Sequence, residues 1–175
     1  MKKYIVLIAA ILIASCSSKP SLQKYIVERS ESPGFVVLDL GSSIINTDKV
    51  ALSVADKEAL ESFEKLNVLV FKKDTLNENK FDDESAKVKT ILNDEAYQEL
   101  IKYGGADKSA IVYFVGNENA IDEFVLYAAQ RETGFAIVRV IGDNMNPNQV
   151  LRLVSLLQKS KFDFEQLKPL QDILK

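Results

Sequence analysis

A chain of 175 residues with 47% hydrophobic composition is of single-domain size and can bury a core of its own. Its 22 Lys and Arg and 25 Asp and Glu give a formal charge of −3, and the lysines are scattered rather than striped, which argues against a nucleic-acid partner. Histidine is absent and Cys16 is the lone cysteine, so imidazole metal ligands, Ser-His and Cys-His pairs and an internal disulfide drop out.

The chain opens with Lys2 and Lys3 and an apolar run from Tyr4 to Ile13, the order of a secretory signal. That run falls short of the roughly 20 residues a membrane-spanning helix needs. Ile13-Ala14-Ser15-Cys16 resembles a lipobox, the site where bacterial signal peptidase II cuts before an acylated cysteine. The expected organisation is a signal peptide over 1–15, acylated Cys16 with a polar tether over 16–20, and one domain over 21–175. The competing reading is an ordinary signal cut after Ala14 or Ser15, with Cys16 a spare thiol. Ser17-Ser18-Lys19-Pro20 lacks the acids that surface-exported lipoproteins usually carry just after the cysteine. The expected location is therefore the outer membrane, facing the periplasm.

Ser21 to Glu31 reads as a helix with Leu22, Tyr25 and Ile26 on one side, stopped by Ser32-Pro33-Gly34. Phe35 to Leu40 reads as a strand, about Asp48 to Leu66 as a helix with Val50, Leu60, Phe63 and Leu66 inward, and Val68 to Phe71 as a second strand. Strands joined through a helix are expected to be parallel neighbours by a right-handed crossover. Thr75 to Asp83 is expected as a surface loop, followed by helices over Glu84 to Leu92 and Glu95 to Tyr103, the second ended by Gly104-Gly105.

Ser109 to Val115, Ala120 to Ala129 and Phe135 to Ile141 are strand-like runs with short glycine-containing connections, the signature of antiparallel hairpins. Asn146-Pro147-Asn148-Gln149 has the cap, proline and glutamine of a helix start, and Val150, Leu151, Val154 and Leu157 form its apolar stripe. A last helix is expected from Asp163, carrying Leu167, Leu170 and Ile173. The fold class is α+β: a mixed sheet of about five strands ending in a three-strand antiparallel meander, with helices packed on both faces. Phe35 to Leu38, Val68 to Phe71 and Ile111 to Val115 are apolar at every position, so both sheet faces must be covered. Either the chain's own helices do this, or part of a face or an edge strand is left for a partner.

Tyr97-Gln98-Glu99-Leu100 before a glycine pair, Ala110 to Phe114, Ile121 to Leu126, and Val138 to Ile141 followed by Gly142-Asp143 resemble the central block of a lipoprotein family. It is the domain of unknown function numbered 4252, found mainly in Bacteroidota, and the resemblance spans about Ser21 to Leu157. It implies an exported α+β domain with a tyrosine-containing helix before the meander, and suggests envelope regulation. It brings no catalytic residues.

The candidate binding residues are Arg139, which interrupts the last meander strand, and Asp122 and Glu123 on the neighbouring run. Arg139 is expected to snorkel to water, to pair with Asp122 or Glu123, or to form a buried anion site. Asp39, at a strand end, is read as a solvated charge. Asp82-Asp83-Glu84 is read as the cap and first-turn acids of a helix rather than a calcium cluster. Asp143 to Asn146 fails as a calcium loop, because Pro147 stands at its fifth position and no glycine follows at the sixth. No metal or cofactor is expected.

Three functions stay open: a non-enzymatic interaction module for another envelope protein, a small-ligand or lipid-binding module, and a carboxylate-based hydrolase. An uncovered apolar patch or free edge strand would favour the first. A closed pocket lined by Phe114, Phe124 and Phe135 would favour the second, and two carboxylates converging in one cleft the third.

Overall fold

The computed structural model describes residues 20–45, 47 and 50–159. The expected signal segment, the expected lipobox with Cys16 and the helix expected from Asp163 lie outside the described residues. The elements in order are α1 (Leu22–Arg29), β1 (Phe35–Gly41), a 3-10 turn (Ser42–Ile44), α2 (Val54–Ser62), β2 (Phe63–Lys72) and α3 (Lys80–Leu92). They continue with β3 (Gln98–Gly104), β4 (Lys108–Asn117), β5 (Ala120–Gln130), β6 (Gly134–Met145) and α4 (Pro147–Lys159).

The strands form one six-stranded sheet in the order β1-β2-β6-β5-β4-β3, and every pair is antiparallel. This corrects the expected mixed sheet of about five strands. β1 and β2 are antiparallel because Gly41 at the end of β1 sits opposite Lys65 near the start of β2. The chain between them, α2 included, leaves and re-enters the sheet at one end. A crossover to a parallel strand would have to travel the length of the sheet. The meander gains a fourth strand, since Glu95 to Tyr103 is β3 and its approach rather than a helix.

Local chemistry accounts for most boundaries. Ser21 caps α1, its Oγ accepting from the Lys24 amide at 3.2 Å. Ser53 and Asp56 form a reciprocal capping box that starts α2, later and shorter than the helix expected from Asp48. Asn146 Oδ1 accepts from the Gln149 amide at 3.1 Å and Gln149 Oε1 from the Asn146 amide at 2.8 Å, so α4 starts as its sequence signals. α3 starts at Lys80, inside the stretch expected as a loop; Asp82 and Asp83 lie in its first turn and neither is its cap.

Helices lie on both faces. α1 and α3 cover one face, where Leu22, Tyr25, Ile26, Phe81, Val88, Ile91 and Leu92 pack on Leu69, Phe71, Val125, Tyr127, Phe135 and Ile137. Phe71 and Phe135 stack at 5.3 Å in this core, and the buried Tyr127 hydroxyl meets Ser85 Oγ at 2.8 Å. On the opposite face α2 and α4 bring Ala59, Leu153 and Leu156 onto Leu40, Phe63, Leu66 and Val140. Phe114, Ile121, Phe124 and Met145 adjoin them with Val150 of α4.

Candidate interaction surface

The sequence candidates on the α1/α3 face separate clearly. Arg139 is 6% exposed, and it pairs with Glu123 through Nε at 2.7 Å and Nη2 at 2.8 Å. Nη1 donates to Gln23 Oε1 at 2.6 Å and to Asn67 Oδ1 at 3.2 Å. These four bonds use all but one of the guanidinium N–H groups. They tie β6 to β5, β2 and α1. Asp122 is exposed where the β5 register shifts between Ile121 and Glu123, and it lies outside this cluster. Asp39 is exposed, opposite Asn67 across the sheet.

A second buried ionic cluster is absent from the sequence reading. Glu84 is 7% exposed and accepts from Arg29 Nε at 2.8 Å, Tyr25 Oη at 2.9 Å and Lys87 Nζ at 2.7 Å. Burial pushes its carboxyl up, but the three donors outweigh this and hold it below the ordinary carboxylate range. Burial, with the Glu84 charge behind it, pushes the Tyr25 hydroxyl far up. A signal for this site did exist: Glu84 falls three residues after Phe81 and four before Val88, on the apolar face of α3.

On the α2/α4 face the register aligns two apolar rows across all six strands. One runs Val36, Val70, Ala136, Ala128, Ala110, Tyr103 and the other Leu38, Val68, Val138, Leu126, Val112, Ile101. The helical clusters of this face take in only Leu38 and Val112 from these rows. Leu126 is 37% exposed, Ile101 60% and Tyr103 73%. Three consecutive alanines in the outer row make a shallow valley. A cleft of about 580 Å³ opens there, and its described lining is strand and hairpin residues throughout: Val70, Ala110, Ala128 and Ala136 as floor, with Lys72, Lys73, Lys108 and Glu132 around it. Phe114 and Phe124 lie deeper on this face while Phe135 belongs to the opposite core, so the three do not line one pocket.

Fold and surface define an α+β domain built on a single antiparallel sheet, half of one face apolar and left uncovered by helices among the described residues. The chain belongs to the family described as "Domain of unknown function (DUF4252)", whose sequence model matches residues 27–153. That span reaches from α1 into α4 and contains the whole sheet. No curated protein and no solved structure matches the chain.

Proposed function

We propose that this protein is a lipoprotein held in the outer membrane through acyl chains on Cys16, facing the periplasm, and that it serves as a non-enzymatic interaction module. Its partner is an envelope protein that lays an apolar segment on the open half-face. The carrying observation is that pair of apolar rows, twelve positions without a charged residue, most of them outside the helical clusters of that face. Contiguous apolar surface of this kind marks interaction sites. The anchor reading is supported by the lipobox pattern, each buried acyl CH₂ contributing about 0.8 kcal/mol. The non-enzymatic reading is supported by the paired carboxylates: buried Glu84 and half-buried Glu123 sit in separate clusters, each held by an arginine.

Two measurements test it. Fractionation of a Cys16→Ala variant should move the protein from the membrane to the soluble fraction; a variant that stays with the membrane removes the anchor. Mild cross-linking and capture from the native envelope should yield one partner in near-stoichiometric amount, lost with Leu126→Lys. Capture unchanged by that substitution would place the contact elsewhere. The cleft volume also suits a small apolar or lipid ligand. Native mass spectrometry of the freshly purified protein distinguishes this second reading, which requires a bound mass that Ala128→Lys, on the cleft floor, removes.

A further inference from the structure

The sheet ends at β3, and all seven of its residues are exposed. Its outer edge has no strand partner among the described residues. Proteins usually guard such an edge with a bulge or a lysine. β3 has both, a bulge between Glu99 and Ile101 and Lys102 beyond it, yet it also exposes Leu100, Ile101 and Tyr103 at 43%, 60% and 73%.

The bulge decides which residues share a face. Glu99 sits opposite Tyr113 and Lys102 opposite Ile111, two β4 residues on the α1/α3 face. Glu99 and Lys102 therefore project to the same face, although residues three apart in a regular strand do not. Gln98 and Tyr103, opposite Phe114 and Ala110, share the other face. When a strand pairs antiparallel with a copy of itself about an axis normal to the sheet, opposed residues must lie on one face. Only with the bulge can Glu99 oppose Lys102 of a second copy, twice over by symmetry. The same register sets Gln98 opposite Tyr103 and gathers Leu100 and Ile101 of both copies at the axis.

We propose that the occupant of the β3 edge is a second copy of this chain, paired antiparallel in the register that opposes Glu99 to Lys102. The edge charges are complementary to themselves, and each copy contributes its six strands to one continuous sheet. The inference rests on the edge and is independent of what occupies the open half-face.

The test uses the exported full chain in its own envelope. Under mild oxidation the Glu99→Cys, Lys102→Cys double variant should give a disulfide-linked dimer, because opposed cross-strand positions lie within disulfide reach. Either single variant should give at least about tenfold less, since neither position faces itself. In detergent extracts, sedimentation should give Glu99→Lys or Lys102→Glu a dissociation constant about tenfold higher than the parent's, and the double exchange one within about twofold of the parent's. Because every β3 residue is exposed, these variants leave the core untouched. A parent that stays monomeric at every concentration overturns the proposal. So does a double-cysteine variant that links only to another protein, or a single variant that links as well as the double.

Discussion

Arg139 and Glu123 are the residues on which the centre of the sheet depends. Both are nearly out of contact with solvent, so removing one partner strands the other's charge in a medium of low dielectric. Glu123→Ala should cost about 3 kcal/mol or more in a urea unfolding series, in the range seen when a buried pair is broken. Glu84 adds a pH dependence whose sign follows from its lowered carboxyl. Unfolded, the group titrates near its ordinary 4.5; folded, it titrates lower. The unfolded chain therefore binds more protons between those two values, and stability rises with pH there. Glu84's contribution is complete above about pH 4.5 and is lost as pH falls through the folded value. The stability gap between parent and Glu84→Gln should accordingly be constant from pH 7 to pH 5 and shrink below that. A gap that widens on acidification would contradict the network.

At the scale of elements, two glycines make a controlled comparison. Gly134 opens β6 at φ +126, and a Cβ there would stand 1.9 Å from the Phe71 carbonyl oxygen of β2. Gly41 ends β1 with open space where its Cβ would go. Gly134→Ala should lower stability by about 3 kcal/mol, because a strained backbone and a clash with a neighbouring strand combine there. Gly41→Ala should leave the melting temperature unchanged or slightly higher, since it only restricts the unfolded chain. β3 shows how an element can be misread. Tyr97, Leu100 and Ile101 have helical spacing, but the bulge at Leu100 breaks the two-residue alternation that would have marked a strand. The turn before it is closed by Asp94, whose Oδ1 accepts from the Ala96 amide at 3.1 Å and whose carbonyl accepts from Tyr97. Pairing with β4 then overrides local preference. Gly104, read as a helix end, instead turns the β3–β4 hairpin at φ +90.

For the molecule as a whole, the arrangement of helices matters more than their number. α1 and α3 cover the aromatic end of one face, and α2 and α4 cover the Leu40, Leu66 and Val140 region of the other. Arg152 of α4 reaches Asp56 of α2 at 3.3 Å, holding that helical pair together. The open half-face should bind an apolar fluorescent dye in the folded state, with the signal reduced by Leu126→Lys. At 37% exposure Leu126 can direct a lysine to water along its own stem, so unfolding should shift by only about 1 kcal/mol. Loss of dye binding together with a large loss of stability would mean that Leu126 is core rather than surface.

By itself the sequence determined the α+β class, the β4 to β6 hairpins, the start of α4 and the family, because these depend on turns, caps and apolar periods within a few residues of one another. It also carried the apolar runs that demand cover on both sheet faces. Tertiary structure alone decided the antiparallel pairing of β1 with β2, the strand identity of β3 and the burial of Glu84 beneath Arg29. Each of these turns on partners distant in the chain: Gly41 with Lys65, Ile101 with Val112, Glu84 with Arg29. Which half of each face the helices cover was likewise undetermined locally. An apolar strand has the same composition whether a helix of its own chain or another molecule lies against it.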